Sequence, residues 1–283
     1  MPKISAVIVT LNEESNIKQA ILSVKPWVDE IVVVDMMSDD RTVELARSLG
    51  AATFDHPRVG FVEPARLIAV DYARGEWILI LDADEMISYS LSMELLRIVE
   101  HDSADVCLLP RLNYVLGKPM MHGQPNPDRD AQMRFFKRGT LQFSDKIHSV
   151  PTPEAGARVI KVKFAGNCAI HHFNSYNAAQ LIDKMNRYTT IEAEQLFGQR
   201  KPTPTTRLLL WPVYSFMREY FIDHGWRDGW RGLYRAHLAG FYRLSREVKY
   251  LQFVECGQTT QCNVQYAHEV AELLHEYSPD AGK

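Results

Sequence analysis

The sequence predicts an α/β fold: a Rossmann-like, mostly parallel sheet flanked by helices, followed by a helical C-terminal extension. Three observations carry this reading. Apolar runs of strand length (Ser5–Thr10, Ile31–Asp35, Ala51–Asp55 and Trp77–Asp82) alternate with segments of helical periodicity over the first third of the chain. Each of the three longer runs stops at a polar cluster, as strands do where they leave a sheet buried on both faces. Beyond residue 176 the strand pattern gives way to long stretches with apolar residues three and four apart.

Taken in order, Ser5–Thr10 (SAVIVT) is a strand, and polar Asn12-Glu13-Glu14-Ser15 introduces a helix over Asn16–Val24. Ile31–Asp35 (IVVVD) is the second strand. The helix Thr42–Leu49 follows, with Ser38 or Asp39 placed to cap its start and Gly50 to end it. Ala51–Asp55 is a short strand, Glu63–Ala73 a helix and Trp77–Asp82 the fourth strand. Strand–helix alternation at this spacing implies parallel pairing through right-handed crossovers. A dinucleotide cradle is excluded at the first turn, because Thr10-Leu11-Asn12-Glu13 contains no G-x-G-x-x-G. Later, Ala178–Phe197 has helical periodicity and Lys201-Pro202-Thr203-Pro204 breaks it, while Asn263–Tyr277 carries one more apolar stripe.

With 283 residues and 46% hydrophobic content, the chain can bury a large core in one or two domains. A net charge of −3 gives no sign of nucleic-acid binding. No stretch approaches the roughly 18 apolar residues of a membrane span; the longest, Leu208–Met217, lies between Arg207 and Arg218. Met1-Pro2-Lys3-Ile4 leads into a strand without an apolar leader. Cys107, Cys168, Cys256 and Cys262 lack C-x-x-C spacing, which predicts free thiols and a cytoplasmic setting.

The chemistry-bearing residues gather at strand ends: Thr10/Asn12/Glu13, Asp35/Ser38/Asp40 and Asp82/Asp84/Glu85. In open α/β sheets ligands bind outside the carboxyl ends of the strands. Strand alternation predicts that Asp82 and Asp84 in W-I-L-I-L-D-A-D-E point the same way. Two hard oxygen donors there suit Mg²⁺ or Mn²⁺ shared with a diphosphate. Asp35 can accept the imide N–H of a uracil and Glu13 a ribose hydroxyl, while Arg66 can neutralise diphosphate charge. Each also has an ordinary structural reading, with Asp35 and Ser38 as turn or cap residues and Arg66 as a solvated helix charge.

Three segments, A-V-I-V-T-L-N-E-E at 6–14, I-V-V-V-D-x-x-S-x-D-x-T at 31–42 and W-I-L-I-L-D-A-D-E at 77–85, resemble the family 2 glycosyltransferases. The similarity is to the branch that builds lipopolysaccharide cores and related surface glycans. It continues through R-L-N-Y-V-L-G-K at 111–118, D-A-Q-M-R-F-F-K-R-G at 130–139, I-H at 147–148 and K-M-N-R-Y-T-T-I-E-A at 184–193. The resemblance implies an A-type nucleotide-sugar transferase fold, a nucleotide diphosphate sugar donor (UDP-linked), a divalent cation and inversion at the anomeric carbon. It places Thr10, Asn12, Glu13, Asp35, Ser38, Arg66, Asp82, Arg134 and His148 at the donor and Asp84, with Asp82, at the metal. Where family members commonly have D-S-G-S-T-D-G-T, this chain has bulky Met36 and Met37 and a charged Arg41; Ser149 stands where they often have Glu.

Inversion needs a base for the acceptor hydroxyl. With Ser149 unable to serve, the candidates are Asp130, Asp145, Asp128 and Glu154; Asp130, just before Q-x-R-F-F, is chosen, with Asp145 as the alternate. Of His171-His172, one side chain is expected to reach the site and the other to be structural. The expected organisation is a catalytic domain over 1–175, with a donor half to about residue 100 and an acceptor half after it, and a helical region over 176–283. Arg207–Lys249 holds eight Lys/Arg against four Asp/Glu among many aromatic residues, which predicts contact with a membrane surface or another subunit. The expected enzyme is an inverting hexosyltransferase acting on a lipid-linked saccharide or lipopolysaccharide-core-like acceptor, peripheral on the inner face of the cell membrane. A sugar-1-phosphate nucleotidyltransferase is the competing enzyme class, although Leu11–Ser15 lacks its Gly-rich loop; a non-catalytic sugar-nucleotide-binding protein is the other alternative.

Overall fold

The structure is a computed structural model that describes residues 3–58, 63–143, 151–199, 204–257 and 259–275. It divides into two compact units, Met1–Tyr176 and Asn177–Lys283. In the first, β1 (Ile4–Thr10), α1 (Ile17–Val24), β2 (Glu30–Asp35), α2 (Thr42–Ser48), β3 (Ala52–Asp55), α3 (Glu63–Tyr72) and β4 (Trp77–Asp82) alternate as expected. There follow β5 (Glu85–Ile87), α4 (Tyr89–Glu100), β6 (Val106–Leu109), β7 (Arg111–Val115), β8 (Lys118–Pro119) and β9 (Gln132–Lys137). The pairs β10 (Leu141–Gln142) with β11 (Thr152–Pro153), and then β12 (Val159–Lys161) and β13 (Ile170–Ser175), complete the unit.

The central sheet has the order β12-β6-β9-β4-β1-β2-β3. Every pairing in it is parallel except those of β9, which runs antiparallel between β4 and β6. This is the α/β, mostly parallel architecture that the sequence predicts. Alternate residues of the inner strands feed two cores. Ala6, Ile8, Val33, Leu79 and Leu81 meet α1 and α4 on one face, where Ile21, Leu91 and Leu95 are fully buried. Val7, Val9, Val34, Ile78 and Ile80 meet α3 on the other, through Ala65 and Ala69, with Ala73 just after the helix. Chain order reverses at β1, with β2 on one side of it and β4 on the other, so the crevice for a ligand opens between the ends of β1 and β4.

A second sheet, β5-β13-β7-β8, begins where the first ends. β4 stops at Asp82, a turn carries Ala83 and Asp84, and Glu85 starts β5. The alternation expected to continue through Asp84 is therefore interrupted, and Asp82 and Asp84 acquire different partners. A second difference is at α2, which neither Ser38 nor Asp39 caps. Asp40 Oδ1 accepts the backbone N–H of Thr42 at 3.0 Å, and Ser38 is committed elsewhere.

The second unit contains α5 (Ala178–Gly198), α6 (Thr206–Met217), a π-helical turn (Arg218–Ile222), a 3-10 turn (Gly225–Asp228), α7 (Gly229–Cys256) and α8 (Thr259–His275). Cys107 and Cys168 are free thiols as expected, and burial pushes Cys107 up to about 12. Cys256 departs from the expectation and is disulfide-bonded.

Ser5, buried in an otherwise apolar strand, donates to Glu30 at 2.6 Å and accepts the Gly75 N–H at 2.8 Å, which draws the start of β4 against β1. A Cβ on Gly75 would lie 2.7 Å from both Ser5 N and Ser5 Oγ and 2.9 Å from Lys3 O. Gly75→Ala should lower unfolding stability by about 1–3 kcal/mol, since backbone on both sides must move. Chemical denaturation with an unchanged m-value would report it.

Candidate functional site

The loops after β1 and β2 are stitched to each other. Asn12 and Met37 take the left-handed backbone, at φ of 56° and 59°. The Asn12 N–H donates to Ser38 Oγ and the Asp39 N–H to Asn12 Oδ1, both at 2.8 Å. The Glu13 N–H donates to Thr42 Oγ1 at 2.8 Å, and Glu13 accepts from Asn16 Nδ2 at 2.7 Å. Asp35, 2% exposed, accepts from the Ser38 N–H at 2.7 Å and from the Ser38 hydroxyl at 2.6 Å. Asp35 and Ser38 thus form a turn whose carboxylate still has acceptor capacity, about four lone-pair sites in all. Thr10 Oγ1 is buried at the end of β1 without a hydrogen-bond partner. Met36 is buried, whereas Met37 projects into solvent.

Across the crevice, the end of β4 is a cluster of charge. Asp82 is gripped by two guanidinium groups, Arg66 on α3 and Arg134 on β9, the latter at 2.7 Å from Oδ2. Burial opposes its charge, but Arg134 and Arg66 outweigh burial and hold the carboxyl well below the ordinary value. Glu85, fully buried, accepts the Asp82 N–H at 2.9 Å and lies 3.2 Å from Arg111 Nη1 and 3.7 Å from Arg134 Nη2. Arg111 then forks onto Asp130, at 2.8 and 3.1 Å. Burial works against the charge of Arg111, yet Glu85 and Asp130 raise its pKa.

Asp84 has a different partner. Its Oδ2 is 3.3 Å from His172 Nε2, and its backbone carbonyl accepts the Phe173 N–H at 2.9 Å. His172 Nδ1 is 2.7 Å from Asn113 Oδ1, while Asn113 Nδ2 donates to Asp130 Oδ2 at 2.7 Å. His172 is therefore the histidine that reaches the strand end; His171 pairs with the Tyr114 hydroxyl at 3.1 Å. Burial, then the charges of Asp84 and Glu13, raise the Tyr176 pKa, so the turn after β4 and the loop after β1 act on a common side chain.

These positions change the reading of several site residues. Asp130 accepts from Arg111 Nε and Asn113 at Oδ2, and from Arg111 Nη2 and Gln132 Nε2 (3.0 Å) at Oδ1. A carboxylate has about four such acceptor sites, so Asp130 must release a donor before it can take a proton. Asp82 is a counter-ion to two arginines rather than an open metal ligand. For a hard divalent cation, Asp84 fits: its carboxylate lies at the switch point, with an imidazole nitrogen beside it. Among the described residues no group of three or more His, Cys, Asp or Glu converges as a metal cage. Asp145 and His148 lie outside the described residues. Glu85, named from the sequence only as part of the acidic strand end, helps carry the site, as do Arg111 and Asn113, which were given no role there. Their signal was the period-2 spacing of Arg111 and Asn113 on one strand face.

The model of Glycosyl transferase family 2 matches residues 5–163, which run from β1 to β12 and include Asp82, Asp84 and the arginines on Asp82, with His172 lying beyond them. The chain belongs to that family. A glycosyltransferase of Rickettsia prowazekii, itself uncharacterised, is 30% identical and aligns over 88% of this chain and 87% of its own length. The lipopolysaccharide core biosynthesis glycosyltransferase LpsC of Rhizobium meliloti is 28% identical over 89% of this chain and 94% of its own length. Among solved structures, glucosyl-3-phosphoglycerate synthase from Mycobacterium tuberculosis, in complex with Mn²⁺, UDP and glucosyl-3-phosphoglycerate, is 24% identical. It covers 40% of this chain and 44% of that chain with a TM-score of 0.35, a likeness too slight to carry an argument. The protein is thus a glycosyltransferase of family 2.

The two arginines on Asp82 have a measurable consequence. Because the folded-state value of Asp82 lies below the unfolded one, its contribution to stability is complete above the unfolded carboxylate value of about 3.9. It is lost as pH falls through the folded value. Asp82→Asn should be less stable than wild type at neutral pH and approach it as pH drops below about 4. Urea midpoints measured across that range would reveal the convergence.

Proposed function

We propose that this family 2 enzyme transfers a hexose, with inversion, from a UDP-sugar to a lipid-linked saccharide of the lipopolysaccharide-core type. The observation that carries the donor side is the placement of Asp84, beside His172 Nε2, at the switch point of the sheet and opposite the loops after β1 and β2. The acceptor class is supported by the similarity to LpsC. In this reading Asp35 accepts the uracil imide N–H with its remaining capacity, and the buried Thr10 hydroxyl meets the nucleoside. Arg66 and Arg134, held in place by Asp82, bring positive charge to the diphosphate as the leaving group develops. Bound Mg²⁺ or Mn²⁺, held by Asp84 with His172, would supply further charge stabilisation of that diphosphate.

On the acceptor side, Asp130 acts as a positioning residue that orients Arg111 and, through Asn113, the ring of His172. With all four acceptor sites of Asp130 engaged, we assign the proton of the acceptor hydroxyl to Asp145, the alternate that the sequence named. Asp145→Asn should lower turnover by about 10²–10⁴-fold and remove the acidic limb of the pH–rate profile. Asp130→Asn should reduce kcat while that limb persists. Loss of the limb in Asp130→Asn alone would return the base to Asp130.

Thermal shift tests the donor reading directly. UDP-hexoses should raise Tm further with Mn²⁺ than without it, because a ligand that binds only the folded state stabilises it by mass action. Asp84→Asn should abolish the Mn²⁺-dependent part and nearly all transfer while the protein remains folded. Full turnover in excess EDTA would overturn the role given to Asp84.

A further inference from the structure

Helix α6 has no buried residue, although it is one of the most apolar segments of the chain. It is not loose: it lies close against α7, where a Cβ on Gly240 would come within 2.9 Å of Pro212 O and the Phe216 ring packs 4.8 Å from His237. The side turned away from α7 carries Leu209, Leu210, Val213, Tyr214 and Met217, and Phe221 and Ile222 extend it through the π-helical turn. These are exposed to the extent of 71% at Leu209 and 62% at Ile222. Apolar side chains in such number on one face mark a contact surface. Among the described residues no helix is long and apolar enough to cross a membrane.

Charge identifies the occupant. Arg207–Lys249 contains eight basic and four acidic residues. Three of those acids, Glu219, Asp223 and Glu247, are buried, whereas none of the eight basic residues is. Arg218 and Arg246 pair with Asp223 and Glu247, so the positive excess of the segment rests on Arg207, Arg227, Arg231, Arg235, Arg243 and Lys249. Four arginines lie over exposed indoles: Arg207 and Arg243 at 5.1 and 5.7 Å from the Trp211 ring, Arg227 at 5.3 Å from Trp226 and Arg231 at 4.3 Å from Trp230. Each pairing puts a flat apolar ring next to a group that binds phosphate oxygens, a combination suited to the depth at which acyl chains meet headgroups. A second copy of this face, by contrast, would set cation against cation in a two-fold contact.

We infer that the α6 face and its flanking arginines dock on an anionic lipid surface, with the aliphatic side chains in the acyl boundary and the guanidinium groups at the phosphates. The inference stands apart from the transfer reading and holds or fails on vesicle binding alone. Co-sedimentation of the full chain with phosphatidylcholine vesicles, with and without phosphatidylglycerol, tests it. Binding should require phosphatidylglycerol and weaken with salt, as the Debye length shrinks from ~10 Å at 0.1 M to ~3 Å at 1 M. Leu209→Glu combined with Val213→Glu, both exposed and so neutral to folding by circular dichroism, should reduce partitioning by about tenfold or more. Arg207→Gln with Arg227→Gln should flatten the salt dependence. No binding at low salt, or equal partitioning of the Glu variant, would overturn the proposal. So would a concentration-dependent dimer in sedimentation velocity that the Glu variant abolishes, since the face would then belong to a second copy.

Discussion

The first unit depends on one buried carboxylate. Glu85 sits at the point where β4 leaves one sheet and β5 enters another, and it is fully buried there. By accepting the Asp82 N–H it closes the turn, and through Arg111 and Arg134 it ties that turn to β7 in the second sheet and β9 in the first. A carboxylate in such a place is tolerable only with this many donors, because an isolated buried charge is strongly unfavourable. Removing Glu85 would leave Arg111 to Asp130 and Arg134 to Asp82 alone, an excess of one buried positive charge, as well as open the turn.

The cluster around it is balanced by residue type. Asp82, Glu85 and Asp130 face Arg66, Arg111 and Arg134, three negative against three positive charges in mutual contact. Such a set contributes orientation more than net stability, since desolvation offsets much of the Coulombic gain. What it orients is Asp84, whose backbone position follows from the closed turn and whose side chain meets an imidazole through the Asp130–Asn113–His172 chain. A preorganised polar network of this kind needs little rearrangement when a charged ligand arrives.

Much of the sheet was legible because its strands are buried on both faces and read as continuous apolar runs, from Ser5–Thr10 to Trp77–Asp82. The helices between them were visible through apolar periodicity, as at Ile17, Ala20, Ile21 and Val24. What escaped were features that depend on pairing across the chain. Nothing local in Gln132–Lys137 says that it inserts antiparallel between β4 and β6. The strand end at Asp82 was read correctly, but the alternation was carried on to Asp84, since the apolar run and the acidic pair look continuous until Glu85 is drawn into a different sheet. Asp35 and Ser38 show the same limit: the residue types allow both a ligand contact and a turn, and only geometry reveals the turn. Asp82, Asp84 and Asp130 were nameable one by one; their pairings with Arg111, Asn113 and His172 were not, because these groups meet through tertiary folding.

The detour between β6 and β9 carries one further consequence. These neighbours in the central sheet are joined by the chain from Pro110 to Ala131, which leaves to build β7 and β8 and then returns. The Arg111–Asp130 pair clasps its two ends, and the Arg111 N–H reaches Pro127 O at 3.4 Å. Beyond that clasp the excursion can grow or shrink with little entropic effect, about 0.6 kcal/mol for each doubling of a flexible loop. The neck therefore acts as a socket. Segments of different length and shape can be exchanged after β7, between Leu116 and Arg129, while the central sheet and the β13–β7 pairing keep their register, so new specificities can evolve on an unaltered frame.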